Sequence, residues 1–136
     1  MKIYIDTNIY LNAIENRDND ISKNVLIFLE ARNVKIFFND LSIINIHYIT
    51  RKTIDKKIIK NELKKILSKH NLVSIDKNII QNSFDSNFKD FEDAIQYFCA
   101  KKINADLIIT NNTKDFLNSE IQIISALEFY KNYIKN

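Results

Sequence analysis

Three times along this chain a helix-like run passes through a single asparagine into a short apolar stretch rich in β-branched and aromatic residues. Asn33 separates Glu30-Ala31-Arg32 from Val34-Lys35-Ile36-Phe37-Phe38, Asn71 separates Lys69-His70 from Leu72-Val73-Ser74-Ile75, and Asn104 separates Lys101-Lys102-Ile103 from the approach to Leu107-Ile108-Ile109-Thr110. Composition explains the choice. No Gly or Pro occurs among the 136 residues, and Asn is next best at the left-handed conformation that ends a helix. Helices alternating with apolar strands need crossover connections, which build a mainly parallel sheet covered on both faces. The pattern predicts one α/β domain, residues 1–136, in three layers (α/β/α) around five strands. Strands are expected near 2–6, 34–38, 72–75, 107–110 and 121–124, and helices near 8–15, 21–32, 41–53, 55–70, 77–86, 90–103 and 125–134.

The first strand, Lys2-Ile3-Tyr4-Ile5, runs straight into Asp6-Thr7-Asn8. Ligands of open α/β sheets sit in the crevice outside the carboxyl ends of the strands, which is where Asp6 falls; capping the following helix is its alternative role. Two further acidic places stand out. Asp90-Phe91-Glu92-Asp93 reads as a helix start, with Asp90 as cap and acids in the first turn, and Thr110-Asn111-Asn112-Thr113-Lys114-Asp115-Phe116 leaves the fourth strand. If the first and fourth strands are neighbours, their exits and that first turn share one crevice. Carboxylates gathered without paired Cys or His suit a hard cation, Mg²⁺ or Mn²⁺. Ser125 and Glu128 have the spacing of a capping box, which marks the start of the last helix.

These pieces, Ile3-Tyr4-Ile5-Asp6-Thr7-Asn8, Asp90-Phe91-Glu92-Asp93-Ala94 and Ile108-Ile109-Thr110-Asn111-Asn112 with Asp115-Phe116, resemble the PIN-domain nucleases in order and spacing along nearly the whole chain, especially the small single-domain toxins of toxin–antitoxin pairs. The resemblance implies strand order 3-2-1-4-5 and an endoribonuclease using Mg²⁺ or Mn²⁺. It implies Asp6, Asp93 and Asp115 as catalytic positions, Asp6, Asp93 and Asn112 around the metal, and Asn8, Asn45, Asp90, Glu92 and Thr110 in support. It also implies RNA as substrate, a small antitoxin protein as partner, and a homodimer. One departure stands out: relatives usually carry a Glu on the third helix where this chain has Asn45. That substitution motivates a second reading, a PIN-like scaffold that binds RNA or protein with little catalysis. A phosphate-transferring hydrolase with Asp6 as nucleophile fits less well, because Asn8 stands where such enzymes place a second Asp.

The helix near 55–70 puts Ile59, Leu63, Ile66 and Leu67 on one apolar stripe, and Arg51, Lys52, Lys56, Lys57, Lys60, Lys64 and Lys65 on or beside its remaining surface. The basic residues read either as a track for RNA phosphates or as an ordinary solvated face. The net charge of +3 is compatible with an anionic partner without requiring one. His47 reads as structural and His70 as helix-terminal. The lone Cys99, between Phe98 and Ala100, reads as a core position. No apolar run approaches membrane-spanning length, and a cytoplasmic location is expected.

Overall fold

The computed structural model describes residues 1–116 and 118–135. Its centre is a parallel sheet of β1 (Lys2–Ile5), β2 (Lys35–Asn39), β3 (Asn71–Val73), β4 (Leu107–Ile109) and β5 (Gln122–Ile124), in the order β3-β2-β1-β4-β5. The helices are α1 (Thr7–Glu15), α2 (Ile21–Glu30), α3 (Asp40–Thr50), α4 (Lys56–Lys69), α5 (Lys77–Phe84), α6 (Phe91–Lys102) and α7 (Ala126–Phe129). A 3₁₀ turn, Thr113–Phe116, follows β4, and α7 runs on into a π-helical turn, Tyr130–Ile134.

Strand alternation divides the core between the two faces of the sheet. Ile3 and Ile5 pack with Phe38, Leu107 and Ile109 against α1, α2 and α7, whereas Tyr4 and Ile108 point to the other face against α5 and α6. Tyr4, Ile5, Ile108 and Ile109 are fully buried, and complete burial of an aliphatic side chain of this size stabilises by roughly 1.5–3 kcal/mol. The order of strands leaves β1 with β2 on one side and β4 on the other, so the chain reverses direction across the sheet at the β1/β4 boundary. A crevice must open there at the strands' carboxyl ends.

The helix stops depart from the asparagine pattern. Only Asn104 is left-handed as expected (φ 55°); the other positive φ values belong to Asn16, Asn19 and Asp20, around the short α1–α2 connection. At Asn71 no reversal is needed, because His70 already has an extended backbone (φ −114°) and Asn71 enters β3 directly, its side chain donating to the Ile36 carbonyl at 3.1 Å. At Asn33, α2 has already ended in right-handed turns, with the Arg32 amide closing on Leu29. The third helix stops at Thr50 rather than near 53: the Thr50 hydroxyl bonds back to the Ile46 carbonyl at 2.7 Å, and the Thr53 and Ile54 amides both close on the Thr50 carbonyl.

On α4 the apolar stripe runs through Ile59, Leu63 and Ile66 to the buried His70, and Leu67 lies off it, 55% exposed. Leu67 follows Ile66 by one residue and so turns ~100° away from the packed face. His47 is exposed rather than structural, while Cys99 is buried as its neighbours suggest. Ser125 caps α7, its hydroxyl accepting the Glu128 amide at 3.1 Å. Among the described residues no helix is long and apolar enough to cross a membrane.

Candidate active site

Asp6 occupies the N-cap position of α1 with extended backbone, yet its side chain makes no cap hydrogen bond. It turns instead toward β4. The Thr110 hydroxyl donates to Oδ2 at 2.6 Å and the Asn8 amide donates to the same oxygen at 3.3 Å. The backbone repeats the link, since the Asp6 amide bonds the Ile109 carbonyl at 3.0 Å, and Thr110 is in turn held to β5 by its amide on the Ile124 carbonyl at 3.0 Å. Asp6 is therefore fixed across the β1/β4 boundary rather than by its own helix. It is 4% exposed. Burial raises its pKa to about 6; the Thr110 hydrogen bond opposes the rise, and the charges of Glu92 and Asp90 add to it.

Asp93 reaches the same crevice from α6. Asp90 caps that helix, its carboxylate accepting the Asp93 amide at 3.1 Å, which sets the first turn so that Asp93 points inward. Asp93 is 7% exposed, and burial followed by the charges of Asp6, Asp90 and Asp115 raises its pKa to about 7, against the pull of the Asn112 side chain. The crevice, about 170 Å³, is walled by Asp6, Asn8, Asp90, Glu92, Asp93 and Asn112, with Leu11 and Ile49 as its apolar sides. Neither Asp6 nor Asp93 enters an ion pair among the described residues. Two buried carboxylates that repel each other, with only hydroxyl and amide donors for company, make a site of oxygen ligands suited to a cation.

The remaining expected positions divide. Thr110 holds Asp6 from outside the crevice lining, and Asn45 on α3 donates to Glu92 at 3.3 Å, so Glu92 leans toward α3. Asp115 sits exposed on the 3₁₀ turn, tied by its amide to the Asn112 carbonyl at 2.9 Å, and acts on Asp93 through its charge. Among the described residues no group of three or more His, Cys, Asp or Glu side chains is arranged to hold a metal ion; the candidate ligands are two carboxylates and the Asn112 amide. None of Arg51, Lys52, Lys56, Lys57, Lys60 and Lys64 lines the crevice, and Arg51 lies over the Tyr48 ring at 4.0 Å.

Behind the two aspartates lies a buried polar network that no motif announces. Gln96, one turn after Asp93, accepts from the Tyr4 hydroxyl at 2.5 Å and donates to the Thr7 hydroxyl at 2.9 Å. Asn39 donates to the Tyr4 hydroxyl at 2.8 Å and accepts the Ser42 amide at 2.7 Å, and the Ser42 and Thr7 hydroxyls lie 2.7 Å apart. The network joins β1, α1, β2, α3 and α6 immediately behind Asp6 and Asp93. The one hint in the sequence is a glutamine set between the apolar residues Ile95 and Tyr97, a helical turn beyond Asp93.

A family model for the PIN domain matches residues 2–114. The chain is 27% identical over 135 residues to Ribonuclease VapC1 of Aquifex aeolicus, covering 94% of this chain and 92% of that protein. A toxin–antitoxin complex from Klebsiella pneumoniae has a chain similar in structure, with TM-score 0.70 and 22% identity, covering 91% of this chain and 97% of that one. VapBC2 from Rickettsia felis, bound to a DNA fragment from its promoter, is similar at TM-score 0.68 and 20% identity, covering 92% and 98%.

Proposed function

The chain belongs to the PIN-domain family, and from that membership we propose that it is a divalent-metal-dependent endoribonuclease, the toxin of a toxin–antitoxin pair, working in the cytoplasm. The observation that carries the reading is the pairing of Asp6 and Asp93: two buried carboxylates from different elements, both with raised pKa and neither ion-paired among the described residues, at the sheet's crevice. The likeness to a protein named as a ribonuclease supports the substrate class.

Asp6, Asp93 and Asn112 are the residues that would hold Mg²⁺ or Mn²⁺. Mg²⁺ commonly takes one or two protein carboxylates, the rest of its shell being water and substrate phosphate. When bound, such an ion lowers the pKa of a coordinated water and offsets negative charge on the phosphoryl oxygens. Thr110 and Asn8 orient the Asp6 carboxylate by donating to one of its oxygens. Asp90 fixes the direction of Asp93 through the cap of α6, and Leu11 and Ile49 supply the apolar part of the crevice wall. With the carboxylates ionised and uncompensated, a phosphodiester is repelled, so RNA enters the crevice only once the charge is balanced. Asp115, outside the lining, adds to the negative field at Asp93.

The test is cleavage of single-stranded RNA in Mn²⁺ by wild type, Asp6→Asn and Asp93→Asn. Each substitution is expected to lower the rate by at least about a hundredfold with the fold intact; wild-type rates in either variant would sink the assignment of these residues. A second reading, an RNA- or protein-binding scaffold with weak catalysis, is favoured by Asn45, whose amide engages Glu92 where relatives usually carry another acid. Activity gained only on Asn45→Glu would establish that reading instead. A small protein partner is supported by the similar structures, which are described as toxin–antitoxin and VapBC complexes, and a homodimer by the family. Expression of the chain alone should arrest growth, and co-expression of its cognate antitoxin should relieve the arrest.

A further inference from the structure

A second and larger cleft, about 540 Å³, lies between the loop that leads into α6 and the 3₁₀ turn that follows β4. Its lining residues adjoin those of the acidic crevice along the chain. Lys89 in the cleft directly precedes Asp90 in the crevice, and Lys114 and Asp115 follow Asn112 by two and three residues. The two sites nevertheless differ in charge, since the cleft sets two lysines against the single carboxylate of Asp115. Lys89 and Lys114 are exposed, and neither enters an ion pair among the described residues. Between them Phe88 forms an apolar wall, half-buried and held by Tyr97 at 5.2 Å and Phe116 at 5.6 Å between ring centroids. Asn87 and Asn118 add amide groups able both to donate and to accept.

We propose that this cleft binds the nucleotide adjoining the scissile phosphate of single-stranded RNA, its base stacked on Phe88 and its phosphate held by Lys89 and Lys114. The proposal rests on the ribonuclease reading and assigns that reading a substrate subsite. The volume falls in the range of small-molecule sites. Single-stranded RNA is recognised through unstacked bases laid on aromatic rings, with basic groups following the backbone. Phe88, braced by two other rings, offers its surface without first having to be ordered. The lysines also attract a polyanion beside a crevice that repels one, so the strand is anchored next to the point of cutting rather than at it.

Binding of a short fluorescein-labelled single-stranded oligoribonucleotide of mixed sequence, followed by anisotropy in the Asp6→Asn background so that the strand stays whole, tests the assignment. Lys89→Glu and Lys114→Glu are each expected to weaken binding about tenfold and to flatten the salt dependence by roughly 0.7 in log–log slope, the value for one phosphate contact on a single strand. Phe88→Leu should weaken binding about fivefold or more with the slope unchanged. Lys60→Glu, the same charge change on α4, should cost less than about twofold. Equal losses for all three lysine variants would mean that overall charge binds the RNA, and unchanged affinity in Lys89→Glu and Lys114→Glu would overturn the subsite while wild-type cleavage of the same strand kept the nuclease reading alive. A wild type that neither binds nor cuts the strand overturns both.

Discussion

Asp6 and Asp93 ionise in opposition to their surroundings, and this has a thermodynamic signature. Their folded pKa values, about 6 and about 7, lie above the ordinary 3.8. The folded state therefore holds these protons more tightly than the unfolded chain. Their contribution to stability is fully present below pH ~4 and is lost as pH rises through 6 and 7. In EDTA the wild type should melt lower at pH 8 than at pH 5. Asp6→Asn, which keeps an oxygen for the Thr110 hydroxyl, should be more stable than wild type at pH 8 by about 1–2 kcal/mol and equal to it near pH 4. Thermal melts across that range, repeated with Mn²⁺, check the sign, and added Mn²⁺ should raise the wild-type melting temperature but not that of the variant. Asn45→Glu would set a second carboxylate against Glu92, 3.3 Å from the present amide. Its metal-free form should lose about 0.5–1 kcal/mol by like-charge repulsion, while less Mn²⁺ should be needed for half-maximal cleavage.

Helix α6 carries both Asp93 and the glutamine that braces the strands behind it. Gln96→Leu removes a partner from both Tyr4 and Thr7, which are fully or almost fully buried, and should cost about 2–3 kcal/mol in a denaturant titration. Asn104 ends α6 at φ 55°, so Asn104→Val should cost about 1–2 kcal/mol, whereas the same change at Asn33, where φ is not positive, should be nearly neutral. Such contrasts mark what sequence could disclose. Apolar runs, an acid at a strand end and acids at a helix start are local signals that point to Asp6, Asp90 and Asp93, whereas Asn112 is indicated only by the family resemblance. The asparagine stops look alike in sequence, but whether a helix end needs a left-handed residue depends on where the next strand lies, and at Asn71 the strand begins at once. The Gln96 network and the Lys89–Lys114 cleft were illegible for a related reason. Their members come from segments up to 92 positions apart, and no periodicity records such a meeting.

For the whole molecule, the central position of β1 governs when an active centre can exist. Its register partners on one side are Leu107, Ile108 and Ile109, and Asp6 is held by Thr110, 104 positions further along. A chain truncated after Asp106 keeps β1, β2 and β3 but lacks the strand that completes β1, and it should be protease-sensitive and without RNA cleavage. The same span acts during synthesis. Ribosomes add ~5–20 residues per second, so on the order of 5–20 s separates the emergence of Asp6 from that of the threonine that fixes it. Throughout that interval β1 lacks its β4 neighbour and Asp6 lacks the hydroxyl that holds its carboxylate. The acidic crevice is thus a late feature of the fold, because the carboxylate and the hydroxyl that fixes it stand 104 positions apart.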